Sequence, residues 1–138
     1  MRVGYLDTSC LVAVAFAEPG AARLKNALSG MERVLSSSLL ESEFLAAAER
    51  EGLRAEALPL LAAIHWIHPG RRLTPEIERV LEAGYVRGAD LHHLATALFV
   101  FGDPSQASFL TLDARQRELA AGLGFRLLPP LPGSSDPS

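Results

Sequence analysis

Short apolar segments alternate with amphipathic helical patterns along almost the whole chain. The strand-like segments lie at residues 2–6, 33–36, 108–112 and 125–128. At least one helical pattern separates each of them from the next, and this alternation favours a parallel sheet because parallel strands need long crossover connections. Helices normally cover both faces of such a sheet. We therefore predict an α/β fold, specifically a three-layer α/β/α sandwich with a parallel sheet.

The helical patterns and the breakers between them divide the chain further. Helices are predicted at residues 8–17, 21–28, 38–51, 54–66, from 74 onwards, 89–101 and 114–123, with an extended segment at 66–73. A length of 138 residues suits one domain with one core. We assign residues 1–129 to that domain, and we expect residues 130–138, which are rich in Pro, Gly and Ser, to be a disordered tail.

Composition argues against several classes of protein. The net charge of −3 does not suit a surface coated in basic residues for binding DNA. Cys10 is the single cysteine, which excludes an internal disulfide and a thiolate-only metal site and fits a reducing cytoplasm. The apolar stretch at residues 11–17 is too short to cross a bilayer, and the preceding Asp7 is not typical of a signal peptide. We expect a cytoplasmic protein that does not bind membranes.

Three aspartates occupy positions where chemistry is expected. Asp7 directly follows the first predicted strand, Asp113 directly follows the strand at residues 108–112, and Asp90 lies in the first turn of a helix. Each also has a structural interpretation as a helix cap or first-turn acid, and Asp113 has capping-box spacing to Gln116. Asp90 is harder to explain in this way, because helical rotation places it on an apolar stripe with Leu94.

Two glutamates share the predicted helix at residues 38–51. Glu41 has capping-box spacing to Ser38, which explains it without chemistry. Glu43 falls by rotation between Leu39 and Leu40, on the face that the helix is expected to bury. A buried carboxylate needs a partner because unpaired charge is expensive to desolvate. We therefore assign Glu41 to the cap and Glu43 to a functional site.

Four carboxylates from four elements thus point towards the carboxyl edge of one sheet, where ligands bind in open α/β folds. We refer to Asp7, Glu43, Asp90 and Asp113 as the acidic tetrad. Oxygen ligands without cysteine favour Mg²⁺ or Mn²⁺ over zinc. Such ions support phosphodiester hydrolysis by clamping phosphate oxygens and activating water. The sequence therefore predicts a metal-dependent catalytic site formed by the acidic tetrad.

Four segments resemble, in order, the motifs of PIN-domain ribonucleases. They are LDTSCLVAVAFAEPG, SSLLESEFLAA, RGADLHHLATAL and FLTLDARQRELAAGLGFRLLP. The resemblance covers nearly the whole chain and carries the acidic positions of the family over to Asp7, Glu43, Asp90 and Asp113, and its frequent histidine to His93. It implies a PIN-like fold and a Mg²⁺- or Mn²⁺-dependent endoribonuclease.

The size and single-domain layout are most similar to those of the VapC-type toxin ribonucleases of toxin–antitoxin pairs. This similarity implies an RNA substrate, a cognate antitoxin protein that inhibits the enzyme, and a homodimer. Charge supports such a partner, because an acidic cleft in a chain whose one lysine, Lys25, lies elsewhere attracts a cation from outside.

Other functions fit the residues less well. A haloacid-dehalogenase-type enzyme would have a second aspartate two residues after Asp7, where the chain has Ser9, and a receiver domain would need a lysine after a late strand. A nuclease acting on DNA or flap structures is disfavoured by the small size, by analogy only. The alternative from another class is a PIN-like module that binds RNA or protein without cleavage.

Overall fold

Five parallel strands form one sheet at the centre of the protein. A computed structural model describes residues 2–128. The strands are β1 (Val3–Leu6), β2 (Arg33–Ser37), β3 (His65–Ile67), β4 (Ser108–Leu110) and β5 (Arg126–Leu127). Their order across the sheet is β3-β2-β1-β4-β5, and every neighbouring pair is parallel. The predicted parallel sheet is confirmed, and β1 lies at its centre.

Seven α-helices connect the strands of the described chain, together with a short 3-10 helix at Pro104–Gln106. The helices are α1 (Thr8–Ala15), α2 (Ala21–Ser29), α3 (Ser38–Arg50), α4 (Arg54–Leu61), α5 (Thr74–Ala83), α6 (Gly88–Val100) and α7 (Ala114–Leu123). The last of them ends at Gly124, as predicted, with a φ of 104° in the left-handed region that glycine tolerates best.

Side chains that alternate along the strands build two cores on opposite faces of the sheet. Tyr5 and Phe109 point into a core shared with α5, α6 and α7. Their neighbours Leu6 and Leu110 point into a second core shared with the first four helices. This two-sided burial explains why the strand segments are continuously apolar, and it confirms the three-layer α/β/α sandwich. Truncating Phe109 to alanine is expected to cost about 3–5 kcal/mol of folding free energy.

Two predicted element boundaries were wrong. The helix predicted at residues 54–66 ends at Leu61, and His65 instead begins β3, where it pairs with Leu35 of β2. The strand predicted at residues 108–112 ends at Leu110. The strand does not continue, because the backbone amide of Leu112 donates to the Ser9 hydroxyl at 3.0 Å and is not free to pair with a neighbouring strand. Asp113 therefore does not directly follow a strand.

The cap of α3 also differs from the prediction. Ser37 rather than Ser38 is the N-cap residue, and its hydroxyl accepts a hydrogen bond from the Leu39 amide at 3.1 Å. The predicted capping box between Ser38 and Glu41 is therefore wrong. Glu41 lies exposed in the first turn, where an acidic side chain is favoured by the helix dipole.

The predicted domain boundary at residue 129 and the predicted tail at residues 130–138 lie outside the described residues. Among residues 2–128, no helix has the length and apolar character needed to cross a membrane.

Candidate active site

The fold brings the acidic tetrad to the carboxyl edge of the sheet. Asp7 follows β1 and is the N-cap of α1, while Asp113 is the N-cap of α7. Glu43 lies in the second turn of α3, which continues directly from β2. Asp90 lies in the first turn of α6. Because β2, β1 and β4 are adjacent, the elements that carry Asp7, Glu43 and Asp113 start side by side.

Asp7 is almost fully buried and held by several donors. One carboxylate oxygen, Oδ2, accepts hydrogen bonds from the Ser9 amide at 3.2 Å, the Ser9 hydroxyl at 2.7 Å and the Thr111 hydroxyl at 3.0 Å. The side-chain amide of Gln116 faces the same carboxylate, and in the orientation that satisfies its hydrogen bonds the nitrogen lies 3.2 Å from Oδ1 and 3.1 Å from Oδ2. Both the structural and the functional interpretation of Asp7 apply, because the residue caps α1 and also presents Oδ1 towards His93 at 4.0 Å.

Glu43 is positioned by a buried hydrogen-bonded network. Its Oε1 atom accepts from the Thr8 hydroxyl at 2.7 Å and lies 3.1 Å from Nε2 of His93. His93 is completely buried, and its Nδ1 atom lies 2.7 Å from the Tyr5 hydroxyl. Burial raises the pKa of Tyr5, so that hydroxyl stays protonated. Nε2 of His93 faces the Glu43 carboxylate and donates a hydrogen bond to it.

The position of Glu43 on α3 refines the prediction. The most deeply buried stripe of this helix consists of Leu40, Phe44 and Ala48. Glu43 lies beside that stripe, with 34% of its side chain exposed. A residue at the edge of a buried face can reach both a protein network and an incoming ligand, whereas one at its centre can reach the protein alone.

Asp90 is the residue that joins the acidic tetrad electrostatically. Burial raises the pKa of its carboxyl, and the negative charges of Asp7, Asp113 and Glu43 raise it further, while His93 opposes them. These charges can act on Asp90 only because they lie nearby. As predicted, Asp90 is half-buried at the edge of the apolar stripe of α6.

Asp113 is the most exposed member of the tetrad. Its Oδ1 atom accepts from the Gln116 amide at 2.8 Å, which confirms half of the predicted capping box. The reciprocal half is absent, because the Asp113 amide donates to the Thr111 hydroxyl at 3.1 Å instead of to Gln116. The Gln116 side chain is thus left available to donate to Asp7.

Sequence comparison gives the family of the chain. A family model described as the PIN domain matches residues 4–122. The chain belongs to the PIN-domain family. PIN domains are as a family nucleases, which places the chain among phosphodiester hydrolases at that coarse level. Comparison with curated protein sequences finds no match.

Solved structures of low sequence identity share the fold of this PIN domain. A chain of VapBC2 from Rickettsia felis, bound to a DNA fragment from its promoter, matches with a TM-score of 0.65, 12% identity and coverage of 92% of this chain and 98% of that one. VapBC-1 from nontypeable Haemophilus influenzae matches with a TM-score of 0.67, 13% identity and coverage of 92% of this chain and 97% of that one. DNA-bound VapBC from Salmonella typhimurium matches with a TM-score of 0.61, 17% identity and coverage of 93% of this chain and 98% of that one. The PIN-like fold predicted from the sequence is confirmed.

The donor set of this PIN domain suits Mg²⁺ or Mn²⁺. All four tetrad side chains offer carboxylate oxygens, which these ions prefer. Within residues 2–128, however, no group of three His, Cys, Asp or Glu side chains is arranged to hold a metal ion. Mg²⁺ needs few direct protein ligands because it retains several waters.

Sequence reasoning did not find the side chains that support the tetrad. The Thr8 hydroxyl donates to Glu43, and no sequence pattern marks it for that role. His93, which the family resemblance points to without a role, is packed and hydrogen bonded to the site. Tyr5 carried no signal beyond that of a buried strand residue, because its contact with His93 spans 88 positions of sequence.

Proposed function

We propose that this PIN domain is a Mg²⁺- or Mn²⁺-dependent endoribonuclease whose metal is bound by Asp7, Glu43, Asp90 and Asp113. One observation carries the proposal: the starts of α1, α3, α6 and α7 bring four carboxylates together, and burial and the charges of the other three raise the pKa of Asp90. Such crowding of like charges is unfavourable in a protein that has no cation to bind there. Concentrated, half-buried negative charge is typical of functional sites.

The four residues of the tetrad would have different roles in binding the metal ion. Asp7 and Glu43 would hold the ion, because their positions are already fixed by hydrogen bonds from Ser9, Thr111, Thr8 and His93. Asp90 and Asp113 would complete the site directly or through water. When bound, the ion supplies charge that clamps phosphate oxygens and lowers the pKa of water. The carboxylates orient that water and exclude other anions from the cleft.

We further propose that the chain is the toxin of a type II toxin–antitoxin pair and acts as a homodimer. The structural likeness to chains of VapBC complexes supports this assignment. The partner would be an antitoxin protein that covers the acidic cleft and inserts an Arg or Lys into it. Charge favours this arrangement, because the single lysine, Lys25, lies on α2 and not in the tetrad.

Cleavage of single-stranded RNA by the purified chain tests the enzymatic proposal. We expect cleavage with Mg²⁺ or Mn²⁺, loss of cleavage in excess EDTA, and recovery when Mn²⁺ is restored. A Glu43→Gln preparation serves as a control for contaminating ribonuclease, because it passes through the same purification. Cleavage that persists in EDTA, or that is equal in the variant, would contradict the proposal.

A second function has some support. The described residues contain no preassembled group of three metal-binding side chains, which is also what a PIN-like module that binds RNA or protein without cutting would show. RNA binding with unchanged RNA length after long incubation in Mn²⁺ would favour this alternative.

Co-expression with the product of the neighbouring reading frame tests the toxin assignment. We expect the chain alone to arrest growth, and the neighbouring product to restore growth and to co-purify with the chain. A neighbouring product that neither binds nor protects would count against an antitoxin partner, whatever the outcome of the RNA assay.

A further inference from the structure

An open cavity is lined by residues that adjoin Glu43 and His93 in the sequence. It has a volume of about 450 Å³ and opens between the start of α3 and α6. Its lining residues are Ser38, Leu39, Glu41, Ser42 and His92. The volume lies within the range of small-molecule sites, roughly 300–1,000 Å³, so the cavity can admit a single nucleobase.

Apart from its favourable position near the start of α3, Glu41 makes no structural interaction in the described protein. It is exposed, and within residues 2–128 its side chain makes no hydrogen bond and no ion pair. The capping box that would have explained it does not form, because Ser37 caps α3. A carboxylate on the wall of a cavity with no partner of its own is available to an external donor.

His92 connects the cavity to the tetrad. It precedes His93 on α6, and the two imidazole centroids lie 6.4 Å apart. His92 lines the cavity, and its neighbour His93 is hydrogen bonded to Glu43. A ligand in the cavity would lie next to the atoms that are proposed to bind metal.

We propose that this cavity binds a guanine base of the RNA, with the Glu41 carboxylate accepting hydrogen bonds from N1–H and the N2 amino group. The inference rests on the proposed function, since it names the base that adjoins the cleaved bond. Unstacked bases in single-stranded RNA are commonly recognised through their Watson–Crick edges. Guanine is the one base whose Watson–Crick edge presents two adjacent donors, which match the two oxygens of a carboxylate.

The other occupants of the cavity fit less well. Adenine and cytosine each present one amino donor beside a ring nitrogen that accepts, and this nitrogen would face the second oxygen of Glu41. The N3–H of uracil lies between two carbonyl groups that Glu41 would repel. A phosphate would meet the same repulsion. The sugar–phosphate backbone would therefore pass outside the cavity while a base enters it and contacts Leu39 and His92, which also line it.

Inosine provides a direct test, because it is guanine without the N2 amino group. Short single-stranded RNAs with one central guanine, inosine or adenine would be cleaved by the wild type, by Glu41→Gln and by Glu78→Gln. Glu78 is an exposed glutamate on α5, away from the cavity, and serves as the matched control. We expect the wild type and Glu78→Gln to cleave the guanine RNA about tenfold faster than the inosine RNA, which is the value of a charged hydrogen bond. In Glu41→Gln this ratio should fall to near one.

The same RNAs are also tested for binding, with Ca²⁺ in place of Mg²⁺ and fluorescence anisotropy as the readout. Guanine-dependent binding that is lost in Glu41→Gln, without any cleavage under Mg²⁺, would support guanine binding in the cavity and contradict the proposed endoribonuclease activity. Cleavage without guanine preference, or a preference that survives in Glu41→Gln, would support the nuclease and overturn the inference. If Glu41→Gln weakened the affinity for the antitoxin and left the guanine ratio unchanged, the cavity would belong to the protein partner and the inference would likewise fail.

Discussion

The two halves of the acidic tetrad differ in how the protein holds them. Asp7 and Glu43 accept short hydrogen bonds from side chains of other elements, and both lie near the completely buried His93. Asp113 is bonded only within its own helix start, and no hydrogen bond reaches the Asp90 side chain in residues 2–128. The first half is therefore organised by the fold, whereas the second carries charge repulsion that only a proton or an incoming cation can relieve.

The largest effect is expected at Glu43 in the organised half. Glu43→Gln keeps the volume of the side chain but removes the charge that would hold metal, so the rate of RNA cleavage at saturating Mn²⁺ should fall at least about 100-fold. Circular dichroism should show an unchanged fold. Glu78→Gln, an equal change on the exposed face of α5, should cleave like the wild type. A Glu43→Gln protein with full activity would show that Glu43 is not a ligand.

A smaller effect is expected from Tyr5, which touches the tetrad only through His93. Tyr5→Phe removes the hydroxyl that is hydrogen bonded to Nδ1, so the imidazole that donates to Glu43 from Nε2 is held less firmly. We expect roughly tenfold weaker Mn²⁺ binding by calorimetry, typical for the loss of an outer-shell partner. Cleavage at saturating Mn²⁺ should be close to that of the wild type.

Tyr85→Phe is the matched control for this change, because Tyr85 is 69% exposed. Equal Mn²⁺ affinities in the wild type and Tyr5→Phe would mean that Thr8 alone is sufficient to position Glu43.

The smallest effect is a change in stability and concerns Asp90, in the half of the tetrad that carries charge repulsion. The pKa of Asp90 is raised above its usual 3.8, so the folded protein binds this proton more tightly than the unfolded chain does. The contribution of Asp90 to stability is therefore largest in acid and is lost as the pH rises through the raised value. We expect Asp90→Asn to raise the melting temperature of the metal-free protein by about 2–5 °C at pH 7, with little change near pH 3.

Asp103 should show the opposite sign. Hydrogen bonds from the Ser105 hydroxyl and amide lower the pKa of Asp103. Its contribution to stability is present at neutral pH and is lost as the pH falls, so Asp103→Asn should lower the melting temperature at pH 7. If Asp90→Asn lowered the melting temperature at pH 7, as Asp103→Asn should, the charge repulsion assigned to Asp90 would be wrong.

The sequence predicts the secondary structure and fold of this protein better than its side-chain contacts. The parallel sheet follows from local patterns, because continuous apolar strands and amphipathic helices are each recognisable within about ten residues. The family membership was also predicted from the residues. The motifs around Asp7 and Asp90 led to the PIN-domain family, which the family model confirms. That the tetrad binds metal stays a prediction.

The errors arose where tertiary contacts override local preference. His65 reads as the end of a helix, and it becomes the start of β3 only because Leu35 offers a strand to pair with. Ser37 and Ser38 are equivalent in sequence, and the length of β2 decides which of them caps α3. The Tyr5–His93 contact joins a strand to a distant helix, so no local pattern reports it.

Anomalous diffraction from crystals soaked in Mn²⁺ tests the central claim most directly. The account predicts a Mn²⁺ peak at the carboxyl edge of the sheet, coordinated by Asp7 and Glu43 and completed by Asp90 and Asp113 directly or through water. The same crystals should lose the peak after EDTA treatment. A peak bound by other side chains, or none at the tetrad at millimolar Mn²⁺, would contradict the assignment of these four residues to one metal site.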